Sequence, residues 1–306
     1  MNPSYKKHFP VMLPEVLQSL KPKDGETYVD ATFGNGGYTE AILQSANCKV
    51  IAIDRDPTVL SRVEELKNKY GERFEFKQGC FGDISSLILD AVNGFVFDIG
   101  VSSMQLDNSE RGFSFSKDAP LDMRMSCSGV SAADLVNSME EGELADIIYK
   151  YGEERKSRQI AAKIIEARKK APIETTKQLA EIIYKVIHKT PNGIDPATRT
   201  FQALRIAVNN ELEELERGLN GATHRLTSQG RLVVVTFHSL EDRIVKTFLK
   251  NNSGSNVHIS KYAKAKPIVD ENVVFVESSK AIAASEEEIA INKRSRSAKL
   301  RWGIKK

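Results

Sequence analysis

The amino-acid sequence predicts an α/β fold, a doubly wound Rossmann-like sheet, with an inserted all-helical domain. Short apolar strands alternate with helical segments up to Gly100. A glycine-rich turn follows the first strand, and an acid ends the second. The alternation stops after Gly100 and returns at Arg231. Ligands of such sheets bind outside the carboxyl ends of the strands, so we expect the site there.

Four strand candidates precede Gly100, and each is a short apolar or alternating run: Tyr28-Val29, Val50 to Ile53, Phe74 to Phe76 and Phe95 to Phe97. The segments Tyr38 to Gln44 and Pro57 to Tyr70 have helical patterns, and Pro57 suits a first helical turn. Strands alternating with helices predict a parallel sheet covered by helices on both faces.

The middle of the chain predicts successive helices: Ala132 to Asn137, Glu141 to Tyr149, Lys156 to Lys169, Thr176 to Ile187 and Pro196 to Arg217. We therefore assign residues 1–106 and 206–306 to the core and 107–205 to the inserted domain, with a role in substrate recognition. Further strands are expected at Arg231 to Phe237 and Val273 to Val276. Ser278 to Ile291 is predicted to be a surface helix and Asn251 to Asn256 a linker.

Bulk composition is that of a globular protein, with 306 residues, 41% hydrophobic and 28% charged. No apolar run is long enough for a bilayer, and the N-terminus lacks a signal-peptide pattern, so the cytoplasm is expected. Cys48, Cys80 and Cys127 lie far apart, and this spacing predicts neither disulfides nor a metal site.

The net charge of +3 is too small to indicate a nucleic-acid partner. The C-terminus, however, is strongly basic and contains no acid among Lys293, Arg294, Arg296, Lys299, Arg301, Lys305 and Lys306. Such a basic tail either contacts RNA phosphates or is simply solvated, and the charge run does not distinguish these.

The turn Gly34-Asn35-Gly36-Gly37 lies between Asp30 and Asp54. Glycines permit close approach of a ligand, and an acid about 20 residues later typically binds ribose hydroxyls. Thr39 occupies the place of the third glycine of a dinucleotide fingerprint, and no Lys-Ser/Thr of a P-loop follows. A nucleoside ligand without phosphates, such as S-adenosylmethionine, is compatible with the absence of both the third glycine and the P-loop residues.

Three further positions have alternative interpretations. Asp54 binds the ribose or caps a helix, but Asp56 before Pro57 is the better cap. Phe81, after the third strand, stacks on adenine or packs in the core. Asp98, after the fourth strand, or a neighbouring carbonyl accepts hydrogen bonds from a target amine, or Asp98 only binds the positive end of the cofactor.

His238 follows the returning strand, and a backbone cap or a pocket wall is favoured over direct catalysis. In the insertion, arginines neighbour aromatic residues or methionines around Arg111, Arg124 and Arg199 to Arg205. These arginines grip RNA, or they form salt-bridged packing contacts between the insertion and the core.

Together, these motifs resemble the bacterial 16S rRNA cytosine-N4 methyltransferases, in the family's order over nearly the whole chain. The matching segments are His8 to Leu13, Asp30 to Gly37, Ala52 to Pro57, Asp98 to Ser103, Gln105 to Asp107, Glu110 to Phe115, Pro120 to Met125, Tyr151 to Arg155, Pro196 to Arg205 and Phe237 to Val245.

The resemblance implies a class I methyltransferase fold, S-adenosyl-L-methionine as donor, and a cytidine in the decoding region of the small ribosomal subunit as substrate. It implies cofactor contacts at Gly36, Gly37, Tyr38, Asp54, Phe81, Asp98 and Gln105. Many relatives carry His where this chain has Tyr38. An NAD-type oxidoreductase and a non-catalytic RNA-binding assembly factor are the alternatives, and the choice between monomer and homodimer stays open.

Overall fold

The computed structural model describes residues 10–191, 193–253 and 273–306. The chain forms two compact units. The sheet unit extends to Gly100 and resumes at Leu212, and the helical unit comprises Val101–Glu211. The insertion predicted at 107–205 lies a few residues inside the bounds of the helical unit.

The described residues contain eight strands in one sheet. In chain order they are β1 (Thr27–Asp30), β2 (Lys49–Asp54), β3 (Phe74–Gln78), β4 (Val92–Asp98), β5 (Leu226–Thr236), β6 (Phe275–Ser278), β7 (Ile282–Ala283) and β8 (Lys299–Lys305). The order across the sheet is β3-β2-β1-β4-β5-β8-β6, and β7 pairs with β8.

The helices of the described residues are α1 (Leu13–Leu20), α2 (Gly37–Ser45), α3 (Leu60–Tyr70), α4 (Ile84–Leu87), α5 (Ser103–Asp107), α6 (Ala132–Ser138), α7 (Glu141–Gly152), α8 (Ser157–Arg168), α9 (Thr176–Tyr184), α10 (Ala197–Asn209), α11 (Glu211–Arg225), α12 (Ser239–Asn252) and α13 (Glu286–Ile291). Short 3₁₀ turns include Pro57–Val59 before α3 and Phe81–Asp83 after β3. None of the helices in these ranges is long and apolar enough to cross a bilayer.

Strands β1 to β5 are parallel, whereas β8 runs antiparallel to β5. Alternate side chains of these strands, including Val29, Phe95 and Val234, join residues of α11 and α12 in one buried cluster. On the other face, Leu20 of α1 and Tyr28 approach Gly94. A parallel sheet needs cover on both faces, which explains its continuous apolar strands. The predicted doubly wound α/β fold is confirmed.

The helical unit has its own core. Leu121, Ile148, Ile164, Leu179 and Phe201 belong to one buried cluster contributed by the loop after α5 and by α7 to α10. These apolar residues recur at helical spacing and give each helix one buried stripe. The unit is therefore built around a core of its own.

The C-terminal basic run is not a tail. Residues 299–305 form β8, an inner strand between β5 and β6. Arg301 is buried and its Nε lies 2.8 Å from Asp242 Oδ1. Lys305 Nζ donates to the carbonyls of Thr223 and Leu226 at the end of α11. Arg301 and Lys305 therefore bind groups within the fold. The charge of the run gave no indication of these contacts.

Two helix predictions were too long. The helix predicted from Pro196 to Arg217 breaks at Asn210, which has a left-handed φ of 51° and whose N–H donates to Ile206 O. Asparagine tolerates this conformation better than most residues. Within Ser278 to Ile291, only α13 is helical, because Ile282–Ala283 pairs with β8. In the predicted linker, Asn251 and Asn252 end α12, and the part from Gly254 lies outside the described residues, as does His8.

Candidate active site

Three parallel strands end in a carboxylate. Asp30, Asp54 and Asp98 are the last residues of β1, β2 and β4. Strand β1 lies between β2 and β4, so the strand order reverses there. Such a switch point opens a crevice at the carboxyl ends of the strands, here named the carboxyl rim. The structure thus places all three acids at the rim, as the strand-end pattern predicted.

Asp30 is fully buried and held by the protein itself. Its Oδ2 accepts from the N–H (3.1 Å) and the hydroxyl (2.7 Å) of Thr39, and Oδ1 accepts from Thr32 N–H (3.2 Å). Burial raises its pKa to about 6. Asp30 therefore joins the end of β1 to the first turn of α2. Thr39, which stands in place of the third glycine of the dinucleotide fingerprint, is the hydrogen-bond partner of Asp30.

Asp54 holds the glycine turn. Its Oδ2 accepts from Gly34 N–H at 2.7 Å, and its Oδ1 accepts from Asp56 N–H at 2.9 Å. Burial is the main reason that its pKa is raised. Asp56 accepts from Thr58 N–H, so the predicted cap is confirmed. A carboxylate oxygen accepts more than one bond, so Asp54 retains capacity for ribose hydroxyls.

The glycines of the turn are required by packing as well as by conformation. Gly36 has a φ of 72°, and a Cβ there would lie 2.9 Å from both Leu66 and Phe33. A Cβ on Gly37 would lie 2.3 Å from Pro10 Cγ. The missing side chains therefore face protein. The first two N–H groups of α2, those of Gly37 and Tyr38, have no partner within the helix, so a cofactor contact through them stays a prediction.

The Tyr38 side chain is buried and its hydroxyl donates to Val11 O. It therefore fastens the segment before α1 to the start of α2. Because the side chain is engaged in this way, a cofactor contact at Tyr38 would be made by its backbone. Tyrosine in place of the histidine of many relatives is compatible with such a contact.

The half-buried Phe81 begins the turn after β3 and packs edge-to-face against Phe97, with ring centroids 5.8 Å apart. Gly218 makes room for it, since a Cβ there would lie 2.8 Å from the Phe81 ring. The core-packing contact is therefore present, and stacking on adenine stays a prediction.

Asp98 differs from the other two acids. Its backbone N–H donates to Thr32 Oγ1 at 2.7 Å. Its side-chain Oδ1 is buried and has no hydrogen-bond partner in the described part of the chain. Burial first, then the negative charges of Asp30 and Glu241, raise its pKa to about 8. A buried acceptor without a donor is unfavourable, so this oxygen is the strongest indication of a ligand at the rim.

We expect Asp98→Asn to stabilise the ligand-free protein, with the gain growing from pH 5 to pH 8. The unfolded acid ionises near pH ~3.9, whereas the folded one resists ionisation up to about 8. The wild type therefore loses stability across this window, and asparagine does not. Urea denaturation should show the gain rising by up to about 1.4 kcal/mol for each pH unit of this window. The exposed Asp90→Asn is the control, and a gain independent of pH would contradict the assignment.

Gln105 lies in the helical unit, in α5. Its N–H donates to Ser102 Oγ at 3.2 Å, and its Oε1 accepts from Ser102 N–H at 3.0 Å. This reciprocal capping box begins α5. The capping role was not among our expectations for Gln105, although the Ser-x-x-Gln spacing indicates it.

His238 caps α12, as the favoured interpretation predicted. Its Nδ1 accepts from Glu241 N–H at 3.5 Å, and its Nε2 lies 2.8 Å from Glu241 Oε1. Glu241 is fully buried, and its Oε2 accepts from the N–H groups of Phe237 and His238. The pair thus shapes the end of β5.

The arginines of the insertion bind protein groups. Arg111 donates to the carbonyls of Arg124 and Met125, and Arg124 pairs with Asp122. Arg205 donates from Nε and Nη2 to the carboxylate of Glu211. These contacts all lie within the helical unit, so salt-bridged packing between the insertion and the core stays a prediction. Arg199 is exposed, with its Nη1 3.8 Å from Glu154 Oε2.

The doubly wound sheet with an antiparallel β8, together with the acids at its rim, defines a class I S-adenosylmethionine-dependent methyltransferase. The chain belongs to the MraW methylase family, whose model matches residues 5–306. The predicted family, class of enzyme and methyl donor are thereby confirmed.

Two curated relatives are each named Ribosomal RNA small subunit methyltransferase H. The protein of Rickettsia massiliae (strain Mtu5) is 55% identical over 296 residues, 96% of either chain. That of Rickettsia akari (strain Hartford) is 55% identical over 300 residues, 97% of this chain and 98% of the relative. A solved rRNA methylase from Streptococcus thermophilus is 12% identical, with a TM-score of 0.42 over 96% of this chain and 93% of its own. That likeness is too distant to support an argument.

Proposed function

We propose that this enzyme methylates the exocyclic N4 of a cytidine in 16S rRNA, in the decoding region of the small subunit. The family and the names of the relatives support an rRNA substrate. The observation that carries the chemistry is the buried, unpartnered Oδ1 of Asp98 at the switch point of the sheet. It fits a ligand with an N–H donor or a positive charge.

An exocyclic cytosine amine is a weak nucleophile because its lone pair is delocalised into the ring. When bound, S-adenosylmethionine supplies an electrophilic methyl group on a sulfonium. Asp98 Oδ1 accepts a hydrogen bond from the amine N–H, which localises the lone pair on N4. Asp98 takes the proton that N4 loses when N4 accepts the methyl group. The rim otherwise contributes by positioning.

We assign recognition of the RNA to the helical unit and place the enzyme in the cytoplasm, where ribosomal subunits are found. Arg199 is exposed and offers its remaining donors to phosphate, as do exposed Lys150 and Arg155 on the same unit. Phosphate contacts of this kind position RNA without reading its sequence.

The decisive experiment is methyl transfer from labelled donor to small subunits that lack the modification, followed by mapping of the labelled nucleotide. Label on N4 of one cytidine supports the proposal. Donor binding without transfer to subunits or naked rRNA would instead favour an assembly factor. Tight NADH binding without a response to S-adenosylmethionine would favour an oxidoreductase.

Asp54→Ala should weaken binding of S-adenosylmethionine by about 1–3 kcal/mol, because ribose hydroxyls lose their acceptor. Calorimetry measures this. Asp56→Ala is the matched control, since it removes a neighbouring carboxylate that caps the 3₁₀ turn Pro57–Val59. Equal losses of affinity in both variants would show that the loss comes from disturbed local structure and not from a lost bond to the ribose.

A further inference from the structure

Helix α1 begins at the carboxyl rim. Its last turn lies near the amino ends of the parallel strands. Ser19 O accepts from Arg231 Nη1 at 3.0 Å, and Arg231 pairs with Gly94 near the start of β4. Eight residues of helix span about 12 Å, and β4 from Gly94 to Asp98 spans about 13 Å. The first turn of α1 therefore reaches the level of Asp98. The bond from the Tyr38 hydroxyl to Val11 O agrees with this placement.

Glu15 lies in that first turn. Its Oε2 is buried and has no hydrogen-bond partner among residues 10–191, 193–253 and 273–306. Glu15 as a whole is half-buried, but a buried oxygen that lacks a donor is still unfavourable. The fold keeps such an oxygen at the rim, beside the site proposed above.

Glu15 belongs to a group of acids around Tyr38. Burial raises the pKa of this phenol, and the negative charges of Asp98, Asp30, Glu288 and Glu15 raise it further. Each of these acids therefore lies near the Tyr38 phenol, which agrees with the placement of the first turn of α1.

Two of these acids already have partners. Thr32 and Thr39 donate to Asp30, and Glu288 Oε1 accepts from Met12 N–H at 2.8 Å. The two remaining acids, Asp98 and Glu15, each keep one buried oxygen without a donor. Asp98 is assigned to the target amine, so Glu15 is the remaining acid whose buried oxygen has no assigned ligand group.

We propose that Glu15 is a specificity residue that recognises the positive charge of the methyl donor. The proposal rests on the proposed function, because it assumes that the donor binds at the carboxyl rim. The donor offers two cationic centres, its sulfonium and its ammonium. A sulfonium has no N–H, and a carboxylate stabilises it by charge alone. After transfer the sulfonium becomes a neutral thioether, so a carboxylate facing it favours the donor over the product.

The test is calorimetry with S-adenosylmethionine, S-adenosylhomocysteine and 5′-methylthioadenosine, which respectively carry both centres, the ammonium alone and neither. Glu15→Gln keeps the shape of the side chain and removes the charge. It should weaken donor binding about tenfold. Glu72→Gln is the matched control, because Glu72 is an exposed acid before β3, at the amino ends of the strands. It should leave the affinity for all three ligands unchanged.

A loss for the donor alone assigns Glu15 to the sulfonium, and a loss for donor and product but not for methylthioadenosine assigns it to the ammonium. Unchanged affinity for all three ligands, or an equal loss for all three, overturns the inference. Glu15→Asp keeps the charge on a shorter side chain and should retain more donor affinity than Glu15→Gln. If the wild type binds neither donor nor product, the proposed function fails instead.

Discussion

Asp98→Asn should slow methyl transfer by about a hundredfold, the lower range for loss of a group that accepts a proton in the transition state. The variant keeps the size of the side chain but no longer takes the proton from N4. Since Glu15 is assigned to the charge of the donor, donor affinity should change by only a few fold. Single-turnover transfer to small subunits, with calorimetry of the donor alongside, separates the two quantities.

The pH profile tests the same assignment. The pKa of Asp98 is raised to about 8, and the proposed mechanism needs the ionised form. For the wild type, kcat/KM for the donor should therefore rise with pH and level off above about 8, because this constant reports free-enzyme ionisation. Asp98→Asn should lack this rise. If the variant raises the donor KM and leaves kcat unchanged, Asp98 binds the donor only and the mechanism is wrong.

Asp30→Ala should destabilise the protein by about 3 kcal/mol or more. The substitution removes the acceptor of two backbone N–H groups and one hydroxyl in the interior. Each unsatisfied buried donor costs about 1–3 kcal/mol, and relaxation recovers part of the sum. Urea denaturation at pH 7 measures the change.

Thr39→Val is the graded comparison for Asp30→Ala. It removes the hydroxyl bond to Asp30 and keeps the backbone bond, so it should cost about 1 kcal/mol. If Asp30→Ala were no more harmful than Thr39→Val, the carboxylate would not organise the turn, and Asp30 would become a candidate for ligand binding.

Much of the sheet unit was predictable because its signals are local. Strands β1 to β4 are short apolar or alternating runs, and turn residues follow them at once. An acid at the end of a parallel strand must lie at the carboxyl rim, whatever the order of the strands. The cap at Asp56 and the capping role of His238 follow from neighbouring residues in the same way.

The C-terminal run was mispredicted because its partners are distant in sequence. Nothing near Arg301 indicates that Asp242 will neutralise it, and nothing near Lys305 shows that the end of α11 needs donors. Long basic side chains also hide the alternation of a strand, since their apolar stems pack while their charges find partners. Pairing with β5 therefore overrides the composition of the run.

By itself, the sequence determined the fold class, the family and the position of three acids at one edge of the sheet. Only the tertiary structure decided what each acid does, because the hydrogen-bond donors that meet a side chain come from elsewhere in the chain. Thr39 engages Asp30 and Gly34 engages Asp54, while Asp98 keeps one buried oxygen for a ligand. The same holds for Glu15, which acquired a candidate role when α1 packed with its first turn at the rim.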